Sequence, residues 1–195
     1  MSYDNNFYNA YEEYLKEPTV RAAHDWIFSI VSTKFSFHNV VDLGCGRSQE
    51  FYHFCKPRYY LGVDENIEET EPQFKYSLLK RNYRNHVRWN MIPAFVSLFS
   101  CEITAPYTEN YIYYNSLFSN NPDIRTGLVS GFYYENKRGQ NPIGETGDIL
   151  SYQTLENIGD CLRVGFTEKR ILLPVPSKMF GPDVIEVWKI FERNK

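Results

Sequence analysis

The order of short apolar strands and intervening helices restricts this chain more than any other feature. "NVVDLG" (39–44) and "YYLGVDEN" (59–66) are nearly continuous apolar strands that run into an acid, the pattern of strands covered on both faces. "FKYSLL", "PAFVSLFSCEI" and "TGLVSGFYYEN" add three more. Residues 20–33 bring Ala23, Trp26, Ile27, Ile30 and Val31 to one helical face, residues 51–55 form a short helical piece, and the Tyr-rich stretch 107–119 forms another helix. After a Gly- and Pro-rich loop from Lys137 to Asp148, Ser151 is expected to cap a helix carrying Leu155, Ile158 and Leu162 on one side. "KRILLPVP" and "VIEVWKIFER" then form two strands about a tight connection at "FGPD". Strands alternating with helices predict one α/β domain. Its sheet is mostly parallel and seven-stranded, with helices on both faces and a C-terminal antiparallel hairpin at its edge.

Size and composition narrow the function. A chain of 195 residues holds one domain with a sizeable core and no separate substrate domain. A hydrophobic fraction of 43% and an aromatic fraction of 17% exclude a disordered profile. Net charge is -3, and Lys80, Arg81, Arg84 and Arg88 are too few to make a phosphate-tracking stripe, which argues against duplex nucleic acid as a partner. Cys45, Cys55, Cys101 and Cys161 form no paired knuckle and follow no secretory leader, so they read as reduced thiols of a cytoplasmic protein, with neither disulfide nor zinc. No stretch reaches the roughly 18 apolar residues of a membrane span. Residues 1–19 are set apart as an aromatic-rich arm or cap on the domain at 20–195. Phe7, Tyr8, Tyr11 and Tyr14 give it one sticky face, suited either to a helix packed on the domain or to a lid over a pocket.

The turn "DLGCGRSQ" carries the chemistry. In an open α/β sheet a ligand sits beyond the carboxyl ends of the strands. Gly44 and Gly46 allow the backbone angles and close approach that such a turn needs, and Asp42 ends the strand leading into it. Asp64, at the end of the next strand, stands where a carboxylate takes both hydroxyls of a ribose. Turn and acid together point to an adenosine-containing cofactor. A dinucleotide turn has a third glycine where this chain has Gln49, which counts against NAD.

"DLGCG" with "GVDEN" resembles the first two motifs of the class I S-adenosylmethionine-dependent methyltransferases. The family pattern is an acid, any residue, then three glycines at alternate positions; this chain matches the acid and two glycines and has Ser48 at the third. The resemblance implies a single-domain, Rossmann-like methyltransferase fold and S-adenosylmethionine as cofactor. It also implies that Asp42 lies near the cofactor's amino group, that Gly44 and Gly46 bend around its methionine part, and that Asp64 takes the ribose. Asn82, after the third strand, stands where many relatives have an Asp that meets the adenine amine.

Methyl transfer needs an aligned nucleophile and no metal, with a base only where the acceptor must lose a proton. Family members generally meet their acceptor after the fourth strand. Here Ser100, Cys101 and Glu102 would line that mouth, without the run that marks methylation of amide or base nitrogens. Glu102 would position an ammonium or take a proton, or else cap the next turn. Glu135 ends the next strand and would face the same pocket, Tyr133 and Tyr134 point to opposite sides, and Glu145 would close over a substrate. His24, His38, His53 and His86 show no ligand-pair spacing, so no metal is expected; His86 alone lies near the presumed adenine end. The expected function is methyl transfer to a small molecule or an exposed protein group. A non-catalytic methyltransferase-like subunit, using the aromatic segments for a homodimer or partner interface, stands second, and a nucleotide-dependent oxidoreductase third.

Overall fold

The computed structural model describes residues 5–35, 37–70, 75–85, 95–98, 106–134, 139–142, 149–152, 154, 156–163 and 165–195. At its centre is β1 (Asn39–Leu43), where Val40, Val41 and Leu43 are wholly buried. Successive side chains of a strand point to opposite faces, so both faces must be covered. On one face Val41 and Leu43 join Val63, Val96 and Leu98 against Tyr114 and Phe118 of α4 (Tyr107–Asn120). On the other, Val40, Tyr60 and Phe95 meet Ile27, Phe28 and Val31 of α2 (Pro18–Lys34) and Phe51 of α3 (Glu50–Cys55). Each fully buried side chain of this size contributes about 1.5–3 kcal/mol.

The sheet has seven strands in the order β3-β2-β1-β4-β5-β9-β8. Strands β2 (Tyr59–Asp64), β3 (Tyr76–Lys80), β4 (Phe95–Leu98) and β5 (Thr126–Tyr133) run parallel to β1. The chain steps outward from β1 to β3, returns to β4, and so reverses strand order between β1 and β4. Ligands of open α/β sheets bind at such a reversal, outside the carboxyl ends of the strands. At the far side β9 (Ile185–Arg193) lies antiparallel between β5 and β8 (Phe166–Pro174), which forms the edge. The parallel core and the C-terminal hairpin agree with the sequence expectation.

Helix α1 (Asn5–Lys16) closes the carboxyl end. Its Phe7, Tyr14 and Leu15 are buried with Phe132 of β5 and with Val175, Phe180 and Val184. The last three belong to the β8–β9 connection. That connection is not the tight turn expected at "FGPD": residues 175–184 fold back through a Ser177–Gly181 bridge and present an apolar seat to α1.

Three further expectations need correction. The buried stripe of α2 is Val20, His24, Ile27, Phe28 and Val31, while Trp26 is 52% exposed. The stripe is rotated because a polar residue, His24, is drawn inside by two carboxylates. The Gly- and Pro-rich loop is in part a strand: β6 (Gly139–Pro142) pairs antiparallel with β7 (Ile149–Tyr152). Ser151 therefore sits in a ladder opposite Gln140 and caps no helix. Gly159 at φ +62° interrupts the segment that follows, and a single 3-10 turn at Asp160–Arg163 remains. Ile158 and Leu162 are nevertheless buried against α4's face of the sheet. No helix among the described residues is long and apolar enough to cross a membrane.

Candidate functional site

The turn after β1 folds back on the end of β2. The amides of Gly44 and Cys45 donate to the Val63 carbonyl, at 2.8 and 3.3 Å. Gly44 and Gly46 sit at φ +70° and +61°, the left-handed region that a Cβ disfavours. A Cβ added at Gly46 would meet nothing within 4 Å, so the glycine is needed for its backbone angles and its outer side faces open space. Ser48 does not take a left-handed conformation, which explains how serine is accommodated there. The left-handed residue is Gln49 (φ 42°, ψ 48°), immediately before α3. Its side chain holds it there: the amide nitrogen donates to the Arg47 carbonyl and the amide oxygen accepts from Tyr76 O–H, both at 2.8 Å.

Asp64 joins the two turns. Its Oδ2 accepts from the Gly46 amide at 3.1 Å and its Oδ1 from the Asn66 amide at 2.8 Å. The carboxylate is only 6% exposed, and burial pushes its pKa up against the pull of these donors. Tyr8 of α1 reaches the same acid, its hydroxyl donating to Oδ1 at 3.4 Å while accepting from Asn66 Nδ2 at 2.9 Å. Arg47 stacks over the Tyr8 ring at 4.7 Å, donates from Nε to the Asn66 carbonyl at 3.2 Å, and hydrogen-bonds Asn5 Oδ1. A clasp of Asn5, Tyr8, Arg47 and Asn66 thus fastens α1 over Asp64. No spacing rule selects these four residues; the one signal was the aromatic face of the N-terminal segment.

Asp42 is placed differently. It is 1% exposed, lies on the same side of the sheet as Val40, and its Oδ2 accepts from Tyr60 O–H at 2.8 Å. Burial pushes it up to about 7, opposed by the hydroxyls of Ser97 and Tyr60. Asp42 is therefore held within the sheet, by the hydroxyl of Tyr60 on the neighbouring strand. Asn82 follows β3 at the same end of the sheet; its Oδ1 accepts from the Arg84 amide at 2.9 Å, and its Nδ2 lies 3.5 Å from Glu65 Oε2. Arg84 in turn donates to Asn110 Oδ1 at 2.7 Å, tying this turn to α4. Tyr133 and Tyr134 do point to opposite sides, into the α4 and α1 clusters respectively. Ser100, Cys101, Glu102, Glu135, Glu145 and His86 lie outside the described residues. Among the described residues, no three His, Cys, Asp or Glu side chains come together in a way that could hold a metal ion.

One polar group was missed altogether. His24, fully buried, places Nε2 2.7 Å from Glu186 Oε2 and Nδ1 3.1 Å from Glu50 Oε1. Glu50 opens α3 directly behind the glycine turn, so this network joins α2, β9 and the site.

No protein-family profile matches the chain, and no curated protein matches it in sequence. Solved structures do match in fold. Magnesium protoporphyrin IX methyltransferase from Synechocystis, with S-adenosylhomocysteine bound, superposes with a TM-score of 0.65 at 11% identity, over 97% of this chain and 95% of its own. The N-methyltransferase NodS from Bradyrhizobium japonicum, also with S-adenosylhomocysteine, gives 0.63 at 10% identity, over 93% and 91%. A small RNA methyltransferase gives 0.64 at 11% identity, over 91% of this chain and 26% of its own. The chain has the Rossmann-like fold of the class I methyltransferases.

Proposed function

We propose that this protein is a methyltransferase that uses S-adenosylmethionine and transfers the methyl group by aligned direct displacement to a small molecule or an exposed protein group. The observation that carries the reading is Asp64, a carboxylate at the carboxyl end of β2, one strand from the reversal, held by backbone amides of both turns beside a glycine turn that is open on its outer side. An acid in that position matches a ribose diol, and Gly46 leaves room for the rest of the cofactor. When bound, the cofactor supplies a methyl carbon activated by a positive sulfur, which becomes the leaving group as the acceptor's lone pair forms the new bond. This chain's residues do the rest. Asp64 orients the ribose, Gly44 and Gly46 bring the backbone close, and Asn82 accepts from the adenine amine with the second lone pair of its Oδ1. Glu102 and Glu135 are the candidates for holding the acceptor and receiving its proton.

A second reading, a methyltransferase-like subunit without turnover, is favoured by one observation: both oxygens of Asp64 already accept bonds from the chain's own donors. The acceptors named for the structural neighbours, a porphyrin and a small RNA, differ too much to indicate one here. Calorimetric titration with S-adenosylmethionine, S-adenosylhomocysteine and NAD tests the reading. The two sulfur compounds should bind and NAD should stay silent. Asp64→Asn should weaken the sulfur compounds by about 10- to 100-fold, as expected for hydrogen bonds to a charged group. Equal binding to the variant, or binding of NAD alone, overturns the proposal; binding without methyl transfer to any acceptor supports the second reading.

A further inference from the structure

Donors of unequal strength meet Asp64 beneath α1. The amides of Gly46 and Asn66 donate at 3.1 and 2.8 Å and belong to the turns themselves, so they cannot leave without unfolding those turns. Tyr8 donates from a separate helix at 3.4 Å, well beyond the ~2.7 Å of a strong O–H···O bond. It is the one exchangeable member of the set. Asp64 is only 6% exposed, and the Tyr8 phenol is the group that α1 places against it.

We propose that Tyr8 gates the ribose subsite: its hydroxyl holds the place on Asp64 that a ribose hydroxyl must take, so that cofactor entry exchanges one O–H donor for another and loosens the first turn of α1. The proposal rests on the reading of Asp64 given above. The exchange is chemically matched, because a phenol and a ribose hydroxyl are both neutral O–H donors and the carboxylate keeps its two amide bonds throughout. It is also local. Phe7, Tyr14 and Leu15 keep α1 seated on Phe132 and Phe180, and the leaving phenol still has Asn66 Nδ2 and the Arg47 guanidinium as partners. The helix therefore senses the subsite through one side chain.

The test compares the wild type with Tyr8→Phe, which keeps the ring under Arg47 and removes only the hydroxyl. S-adenosylhomocysteine is titrated into both, and hydrogen exchange of residues 9–12, whose amides donate to the carbonyls of the first turn, is followed in the wild type. Tyr8→Phe should bind about 3- to 10-fold more tightly, the worth of one ordinary hydrogen bond given up. Exchange at 9–12 should quicken several-fold on binding, with 13–16 unchanged. Binding that is equal or weaker in the variant, or exchange that does not respond to the ligand, refutes the gate while leaving the cofactor reading intact. If S-adenosylhomocysteine binds neither protein, the cofactor reading itself fails and the gate falls with it.

Discussion

Replacing His24 with Gln tests the buried network behind the glycine turn. Both ring nitrogens of His24 lie within hydrogen-bond distance of carboxylate oxygens, 3.1 Å to Glu50 and 2.7 Å to Glu186. A neutral imidazole has one N–H and would set a lone pair against one of those oxygens, so the geometry selects the imidazolium. Burial disfavours that charge, but the Glu186 carboxylate, with Glu50 behind it, outweighs burial and pushes His24 up to about 10 from 6.5. A folded-state pKa raised above the unfolded one gives stability that is complete below pH 6.5 and is lost as pH rises through about 10. Within that window the folded chain holds one more proton than the unfolded chain, so stability should fall by about 1.4 kcal/mol per pH unit, with a ceiling of roughly 5 kcal/mol. Between pH 7.5 and 9.5 the loss should reach about 2–3 kcal/mol, a large part of the ~5–15 kcal/mol that holds a domain together.

Urea unfolding of wild type and His24→Gln across that pH range gives the measurement. The variant leaves two buried carboxylates without a cation and should lose about 3–5 kcal/mol at pH 7. It should also change the slope, because it removes the His24 titration and leaves Glu50 and Glu186 without their cation, so the difference between the two proteins reports this network. A wild type and a variant that lose stability in parallel over this range would refute the reasoning.

Two other substitutions follow from burial and backbone geometry. Asp42 has a folded pKa of about 7, raised from 3.8, so its contribution to stability is complete below pH 3.8 and is lost as pH rises through 7. Asp42→Asn keeps an acceptor for Tyr60 O–H and removes the buried charge; it should stabilise the protein by about 1–3 kcal/mol at pH 8 relative to its effect at pH 4, read from chemical denaturation at the two pH values. Lys56 ends α3 in the left-handed region at φ 44° with its side chain exposed. Lys56→Gly should therefore raise stability by about 0.5–1 kcal/mol in thermal unfolding, whereas the same exchange at Gln49 forfeits two hydrogen bonds and should bring no gain.

What could be read from the sequence follows from how far apart the deciding residues lie. The strands, the glycine turn and the acid after β2 are legible because their requirements are local: apolar continuity, a positive φ, an acid at a strand end. The His24 network was not, since its partners are Glu50 and Glu186 and nothing near residue 24 announces them. The strand pair β6–β7 was hidden for another reason: ladder bonds are made by the backbone, and Gly-, Pro- and Asn-rich residues can pair while looking like a loop. Tyr8 was legible only as one aromatic among several, because its role depends on Asp64 and Asn66 far along the chain. Glu102 and Glu135 fall outside the described residues and stand on the resemblance alone.

Asp42 and Asp64 show most sharply where sequence reasoning stops. Both are acids at the ends of adjacent parallel strands, and the family pattern assigns both to the cofactor. Their side chains have different surroundings: one accepts from Tyr60 of the neighbouring strand, the other lies between the two turns and accepts from Tyr8. Alternation sends both to the α2 and α3 face beside Val40 and Tyr60; the difference comes from register, which sets Asp42 opposite Gly62 and leaves Asp64 two residues nearer the carboxyl end, where the fold-back of Gly46 brings it an amide. Two residues equal in sequence should then separate in experiment: substitution of Asp64 should act on ligand affinity, and substitution of Asp42 on the pH dependence of stability. If Asp42→Asn instead abolished binding with the stability profile unchanged, Asp42 would have to reach the ligand directly, and the turn would have to open further than this structure holds it.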